Sequence, residues 1–206
     1  EDERGKPAWW WSARDLAGRT RGNPLEQNAL LQGVGDYAFD AAVGRAAPGS
    51  LRVGATEADF GILCNWPAVD YGKRQRFSFW VKTEGAAGRV YPELLWFAQD
   101  MDGPLRGAHR LRYMGRSTAA ESVTGTTDWR GMAVEALPPF GATFAALVVR
   151  ADGNDSGTVW IDDAEFDGYG ALSGNRADGT EGRSRIDSDE YDKDDVRDFV
   201  LWKATR

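Results

Sequence analysis

Between Ser50 and Phe166 short runs of apolar, β-branched and aromatic residues are cut by clusters rich in glycine, aspartate and proline. The runs are Ser50–Gly54, Phe60–Cys64, Arg76–Thr83, Val90–Ala98, Leu105–Met114, Met132–Ala136, Thr143–Arg150 and Thr158–Phe166. Composition of this kind, bounded by turn residues, reads as strand. Gly85-Ala86-Ala87-Gly88 and Asp100-Met101-Asp102-Gly103 are expected to turn the chain between runs. Short strands at this spacing, with no helical period between them, predict an antiparallel β-sandwich. Successive strand side chains point to opposite faces. Phe77, Phe79 and Val81 therefore share one face, with Ser78, Trp80 and Lys82 on the other. Likewise Tyr91, Glu93, Leu95 and Phe97 oppose Val90, Pro92, Leu94 and Trp96. Both faces carry rings, so alternation alone does not choose a binding face.

The flanks read differently. Residues 1–27 are polar and arginine-rich around Trp9-Trp10-Trp11, a lead-in whose tryptophans pack onto the sandwich. After Phe166 a Gly/Ser/Arg-rich loop leads to an acidic run and then Val196, Phe199, Val200 and Lys203 on one helical face. Asp192 can cap such a helix, and Asp194 and Asp195 suit its positive N-terminal end. The pattern predicts a short, loosely attached C-terminal helix over about Lys193–Lys203. The expected organisation is a lead-in (1–27), a sandwich domain (28–168) and a loop plus helix (169–206).

Composition narrows the function. The chain has 206 residues and a formal net charge of −7, which disfavours nonspecific binding to nucleic acid or anionic membranes. No run of about 18 apolar residues predicts a membrane span. The single Cys64 rules out an internal disulfide and leaves the compartment open. The sequence begins at Glu1 rather than Met, so its natural start is expected to lie upstream. Catalysis finds little support. His109 is the only histidine, between Arg106 and Arg110, and no motif offers it a nucleophile. Glu93 and Asp100 exist, but no tight carboxylate pair of a glycosidase appears. Asp152, Asn154, Ser156, Gly157 and Asp163 match the oxygen positions of an EF-hand loop. Strand-like flanks make that loop a β-turn instead.

Two resemblances sharpen this reading. Pro48-Gly49-Ser50-Leu51-Arg52-Val53, Phe77-Ser78-Phe79-Trp80-Val81-Lys82-Thr83-Glu84, Thr127-Asp128-Trp129-Arg130 and the closing Gly157-Thr158-Val159-Trp160-Ile161-Asp162-Asp163-Ala164-Glu165-Phe166 resemble, in order and spacing, non-catalytic carbohydrate-binding modules. These are jelly-roll β-sandwiches appended to secreted glycosidases. The resemblance runs from about Asn28 to Phe166, with Asn28-Ala29-Leu30-Leu31-Gln32 standing where the family opens on a motif ending in Glu. It implies a sugar-binding or adhesion module with a polysaccharide partner, not an enzyme. It implies an extracellular or periplasmic location, and a monomer or a tethered part of a larger protein. It also implies a structural calcium, with Asp163 as ligand and Gln32 as neighbour. Separately, Gly168-Tyr169-Gly170-Ala171-Leu172-Ser173-Gly174-Asn175 and Asp198-Phe199-Val200-Leu201-Trp202-Lys203 resemble a segment of cysteinyl-tRNA synthetase. That family's ATP-binding signatures and zinc-ligand cysteines are absent, so the alternative is an inactive, truncated or chimeric piece of the synthetase.

Sugar binding uses exposed ring faces, because the apolar C–H face of a pyranose stacks on them. The candidates are Trp66, Tyr71, Tyr91, Trp96, Tyr113 and Trp129. Each competes with the ordinary role of rings as core in a sandwich.

Overall fold

The computed structural model describes residues 10–16, 25, 30–99, 111–167 and 200–202. Among the described residues are ten strands and one helical turn: β1 Trp11–Ser12, α1 Ala13–Leu16, β2 Gly35–Asp40, β3 Ser50–Thr56, β4 Gly61–Asn65, β5 Gln75–Gln99, β6 Leu111–Thr118, β7 Val123–Ala136, β8 Phe144–Asp152, β9 Thr158–Asp167 and β10 Val200–Trp202. Named strand pairs are all antiparallel. Strand order is β1-β4-β8-β5-β9-β3-β2, with β6 and β7 also on β5 and β10 on β9. The fold is the all-β sandwich expected from the strand spacing.

One strand builds both layers. The first half of β5, Arg76–Glu84, pairs with β9, and its second half, Arg89–Phe97, pairs with β8. The first layer is thus β2-β3-β9-β5-β7, and the second is β1-β4-β8-β5-β6. Between them lie Leu51, Val53, Phe77, Phe79, Val81 and Ile161 from the first layer, against Ile62, Leu94, Trp96, Leu147 and Val149 from the second. At about 1.5–3 kcal/mol for each large side chain fully buried, this cluster dominates the stability. Cys64 sits inside it, and burial pushes its thiol pKa up, so it behaves as a small apolar side chain.

The expected turn at Gly85–Gly88 is not a turn. The strand continues through it, with successive register shifts against β7 between Val81 and Val90. Glycine supplies what the crossing needs. Gly85 has φ 63°, and a Cβ on Gly88 would lie 2.4 Å from Asn154 N. Bends and bulges let one strand leave one sheet and enter another.

Other boundaries also move. β2 was not expected, because Gly35, Asp36 and Asp40 dilute its short alternation around buried Tyr37. β7 begins nine residues before Met132, through Val123-Thr124-Gly125-Thr126-Thr127, where Thr124 and Thr126 face solvent. Asp100–Gly103 and the first part of the Leu105–Met114 run lie outside the described residues. The strand there is Leu111–Thr118. Strands flank Gly153–Gly157, as the β-turn reading requires.

Both flanks take part in the sheet. Trp11 and Ser12 pair with Leu63 and Ile62 of β4. Trp10 is buried in the core, and the Tyr37 hydroxyl donates to its carbonyl at 2.8 Å. At the other end, the helix expected over Lys193–Lys203 is corrected at Val200–Trp202. These residues form β10, opposite Glu165 and Ala164. The cause lies in β9. Its pairing with β3 ends at Leu51–Ile161, so the next stretch of its edge offers unpaired backbone groups that a strand satisfies. The rest of that expectation, residues 193–199 and 203, lies outside the described residues.

Candidate functional site

The outward face of the second layer collects rings and charges in rows set by strand register. Gly61, Arg150 and Tyr91 lie in one row, and Trp11, Leu63, Val148, Glu93 and Thr118 in the next. Ala146, Leu95 and Arg116 follow, then Phe144, Phe97 and Tyr113. Trp66, just past β4, packs on Phe97 with ring centroids 4.9 Å apart, and Tyr113 packs on the same ring at 5.7 Å. Leu25, Leu30 and Leu31 cover part of the face with Leu63, Leu95, Ala146 and Val148. Leu31 sits against Gly61, where a Cβ would lie 2.8 Å from its side chain.

A charged triad crosses the middle. Glu93 is 1% exposed. Arg150 Nε donates to Glu93 Oε2 at 2.7 Å, and its Nη2 lies 2.6 Å from the same oxygen. The remaining Arg150 donors reach the carbonyls of Asp59 (3.1 Å) and Leu30 (2.6 Å). Arg116 approaches from solvent: Nη1 donates to Glu93 Oε1 at 3.4 Å, and Nε to the Tyr113 hydroxyl at 3.3 Å. The bond to Tyr113 leads the effects that raise the Arg116 pKa, ahead of the charge of Glu93. Tyr91 stands under Arg89, whose guanidinium carbon is 5.7 Å from the ring centroid. Burial, then the negative charges of Asp152 and Glu93, raises the Tyr91 pKa.

Three sequence candidates thus share this face: Trp66, Tyr91 and Tyr113. The other three do not. Trp96 points into the core, and its Nε1 donates to Ser117 Oγ at 2.9 Å. Its own alternation with Val90 and Leu94 carries that signal. Tyr71 lies on the β4–β5 loop, edge-on to Phe140 at 4.9 Å. Trp129 lies on β7, in the first layer. Sequence reasoning passed over Arg116, Arg150 and Trp11, because only register brings them beside Glu93 and Phe97.

The pair named for calcium is not brought together. Gln32 bridges to Phe60 near the Thr56 end of β3, since Gly35 pairs with Thr56. Asp163 lies two residues past Ile161, which pairs with Leu51 at the opposite end of β3. Five residue steps separate Leu51 from Thr56, roughly 17 Å at about 3.3 Å per residue. Asp163 is a bulge residue with φ 47°, where the register with β5 shifts between Ser78 and Trp80. The bulge turns both neighbouring carboxylates toward Arg45. Arg45 Nε donates to Asp163 Oδ2 at 2.7 Å, and the Arg45 backbone N–H to Asp162 Oδ2 at 2.8 Å. Burial raises the Asp162 pKa against these bonds. Calcium needs about six to eight oxygens. Among the described residues no group of three or more His, Cys, Asp or Glu side chains converges.

A second surface lies on the first layer. Arg45 stacks over Trp80, 4.2 Å from the ring centroid. Beside that ring, Arg76, Ser78, Gly131, Asp163 and Glu165 border a depression of about 230 Å³.

No protein-family model matches the chain. A fold similar to this one is found in a family 16 carbohydrate-binding module (TM-score 0.45, 10% identity, covering 72% of this chain and 97% of that one). The CBM22-1 xylan-binding domain of Paenibacillus barcinonensis Xyn10C is also similar (TM-score 0.43, 14% identity, 66% and 81% covered). By sequence, the cysteine–tRNA ligase of Solibacter usitatus is 48% identical over 50 residues, 24% of this chain and 11% of that protein. The Chlamydia trachomatis serovar D enzyme is 49% identical over 47 residues, 23% and 10%. The chain thus spans about a tenth of the length of these relatives. Both resemblances read from the sequence are present, and they concern different properties: one the fold, the other a short stretch of sequence.

Proposed function

We propose that the chain is a non-catalytic carbohydrate-binding module of a larger secreted protein, taking polysaccharide on the outward face of its second layer. The observation that carries this reading is the placement of part-exposed Trp66 and Tyr113 on either side of buried Phe97, beside the half-exposed Arg116. Rings offer flat apolar surface to pyranose C–H groups, and the guanidinium offers donors to hydroxyls. The strand scaffold fixes these groups before ligand arrives, which limits the ordering cost of binding. Calorimetric titration with soluble xylan, mixed-linkage glucan and galactan tests the reading. Trp66→Ala and Tyr113→Ala should each weaken binding at least tenfold, at about 1.4 kcal/mol per decade. Trp129→Ala, on the other layer, should leave it unchanged. Equal losses in all three variants, or no binding of any polysaccharide by folded protein, would overturn it.

The second reading, an inactive piece of a cysteine–tRNA ligase, is favoured by the 48% identity over 50 residues. It accounts for 24% of the chain and leaves the sandwich unexplained. An inactive piece without the ATP signatures predicts no cysteine-driven ATP–pyrophosphate exchange, so exchange would overturn it.

A further inference from the structure

Resting on the reading of this face as a sugar site, we infer that its ligand is acidic, with a sugar carboxylate or sulfate seated on Arg116. The argument begins with the local charge. Strand side chains on this face include Arg89, Arg116 and Arg150 against Glu93 and Asp152. Arg89 Nη2 is 3.0 Å from Asp152 Oδ2, and buried Arg150 is committed to Glu93 and to two carbonyls. The surplus positive charge is therefore that of Arg116, on a chain whose net charge is −7.

Arg116 is also placed to use it. Its side chain is 52% exposed, whereas Glu93 is 1% exposed and held between the two guanidiniums. Nε and Nη1 are held by Tyr113 and Glu93, which fixes the plane of the group and leaves Nη2 outside both bonds. A guanidinium fixed in its plane matches an oxyanion through paired N–H donors, which a lysine ammonium does not reproduce. The Tyr113 ring, joined to Arg116 through its hydroxyl, stands where a pyranose could stack while its acid group meets the arginine. A neutral sugar would use the same ring and leave the charge unanswered.

The test compares each acid with its uncharged counterpart. Galacturonate oligomers are titrated before and after methyl esterification, and sulfated galactan before and after desulfation. At low ionic strength at least one acid should bind at least tenfold tighter than its neutral partner. That preference should shrink with added salt. Arg116→Gln should remove the preference with its melting temperature preserved, and Arg116→Lys should keep only part of it. Equal binding of acid and neutral forms, or a preference surviving in Arg116→Gln, overturns the inference. If xylan, glucan or galactan binds and neither acid does better, the acidic-ligand inference fails while the sugar reading stands. If nothing binds, both fall together.

Discussion

Glu93 sets the energetic stakes at single residues. Removing one partner of a buried pair leaves an uncompensated charge, at about 3–5 kcal/mol. Glu93→Gln should therefore lower the denaturation midpoint by that order. Glu93→Leu with Arg150→Met should recover part of the loss, because it leaves no buried charge unpaired while the carbonyls of Asp59 and Leu30 lose their donor; chemical denaturation of the two variants beside the parent protein measures both. Two aspartates should titrate in opposite senses. Asp40 accepts from Trp160 Nε1 at 2.9 Å, and that bond holds its pKa below the ordinary 3.8. Its contribution to stability is complete above 3.8 and fades as pH falls through the folded value. Asp162 is raised above 3.8 by burial, so its native form holds the proton more tightly, and its contribution falls as pH climbs from 3.8 through the folded value. Carboxyl NMR titration should show the two shifts, and Trp160→Phe should return Asp40 toward 3.8. The alternation of Val90–Ala98 already separated Tyr91, Glu93 and Phe97 from Trp96. It could not reveal Arg116 or Arg150, because neither spacing nor composition states which residues of β6 and β8 stand opposite Glu93.

Among elements, those built on a compact apolar or β-branched run bounded by turn residues were legible. β3, β4, β8 and β9 fall within about two residues of the sequence runs. β2 escaped because its polar residues imitate a loop, and the extension of β7 because its outward side chains are threonines. Gly85–Gly88 has turn composition, yet its glycines serve a close passage between backbones. Gly88→Ala should cost about 1–3 kcal/mol by overpacking. Gly54→Ala, with nothing nearer than 3.9 Å and an ordinary φ, should be nearly neutral in the same thermal melt. The last strand marks another limit. The tail's apolar spacing suits a helix, and what decides against it at Val200–Trp202 is an open edge on β9 about forty residues earlier. Truncation after Asp167 should speed amide exchange at Ala164–Glu165 and leave Leu51–Val53 protected.

For the molecule as a whole, the lead-in belongs to the fold. Trp10, Leu25, Leu30 and Leu31 are all buried, and the Leu30 carbonyl holds Arg150. At about 1.5–3 kcal/mol for each large side chain, losing all four rivals the entire stability of a domain, about 5–15 kcal/mol. A chain starting at Gln32 should lose its cooperative melt, which differential scanning calorimetry would show. The shared strand has a further consequence, in time rather than in energy. Because β5 supplies the middle of both layers, neither can be completed while the other is open. Its partners arrive from distant points along the chain, and β8 and β9 are synthesised after it. Refolding should therefore be slow and all-or-none, on the millisecond-to-second scale of sandwiches dominated by non-local pairing, and a nascent chain ending before Thr158 should hold no stable half.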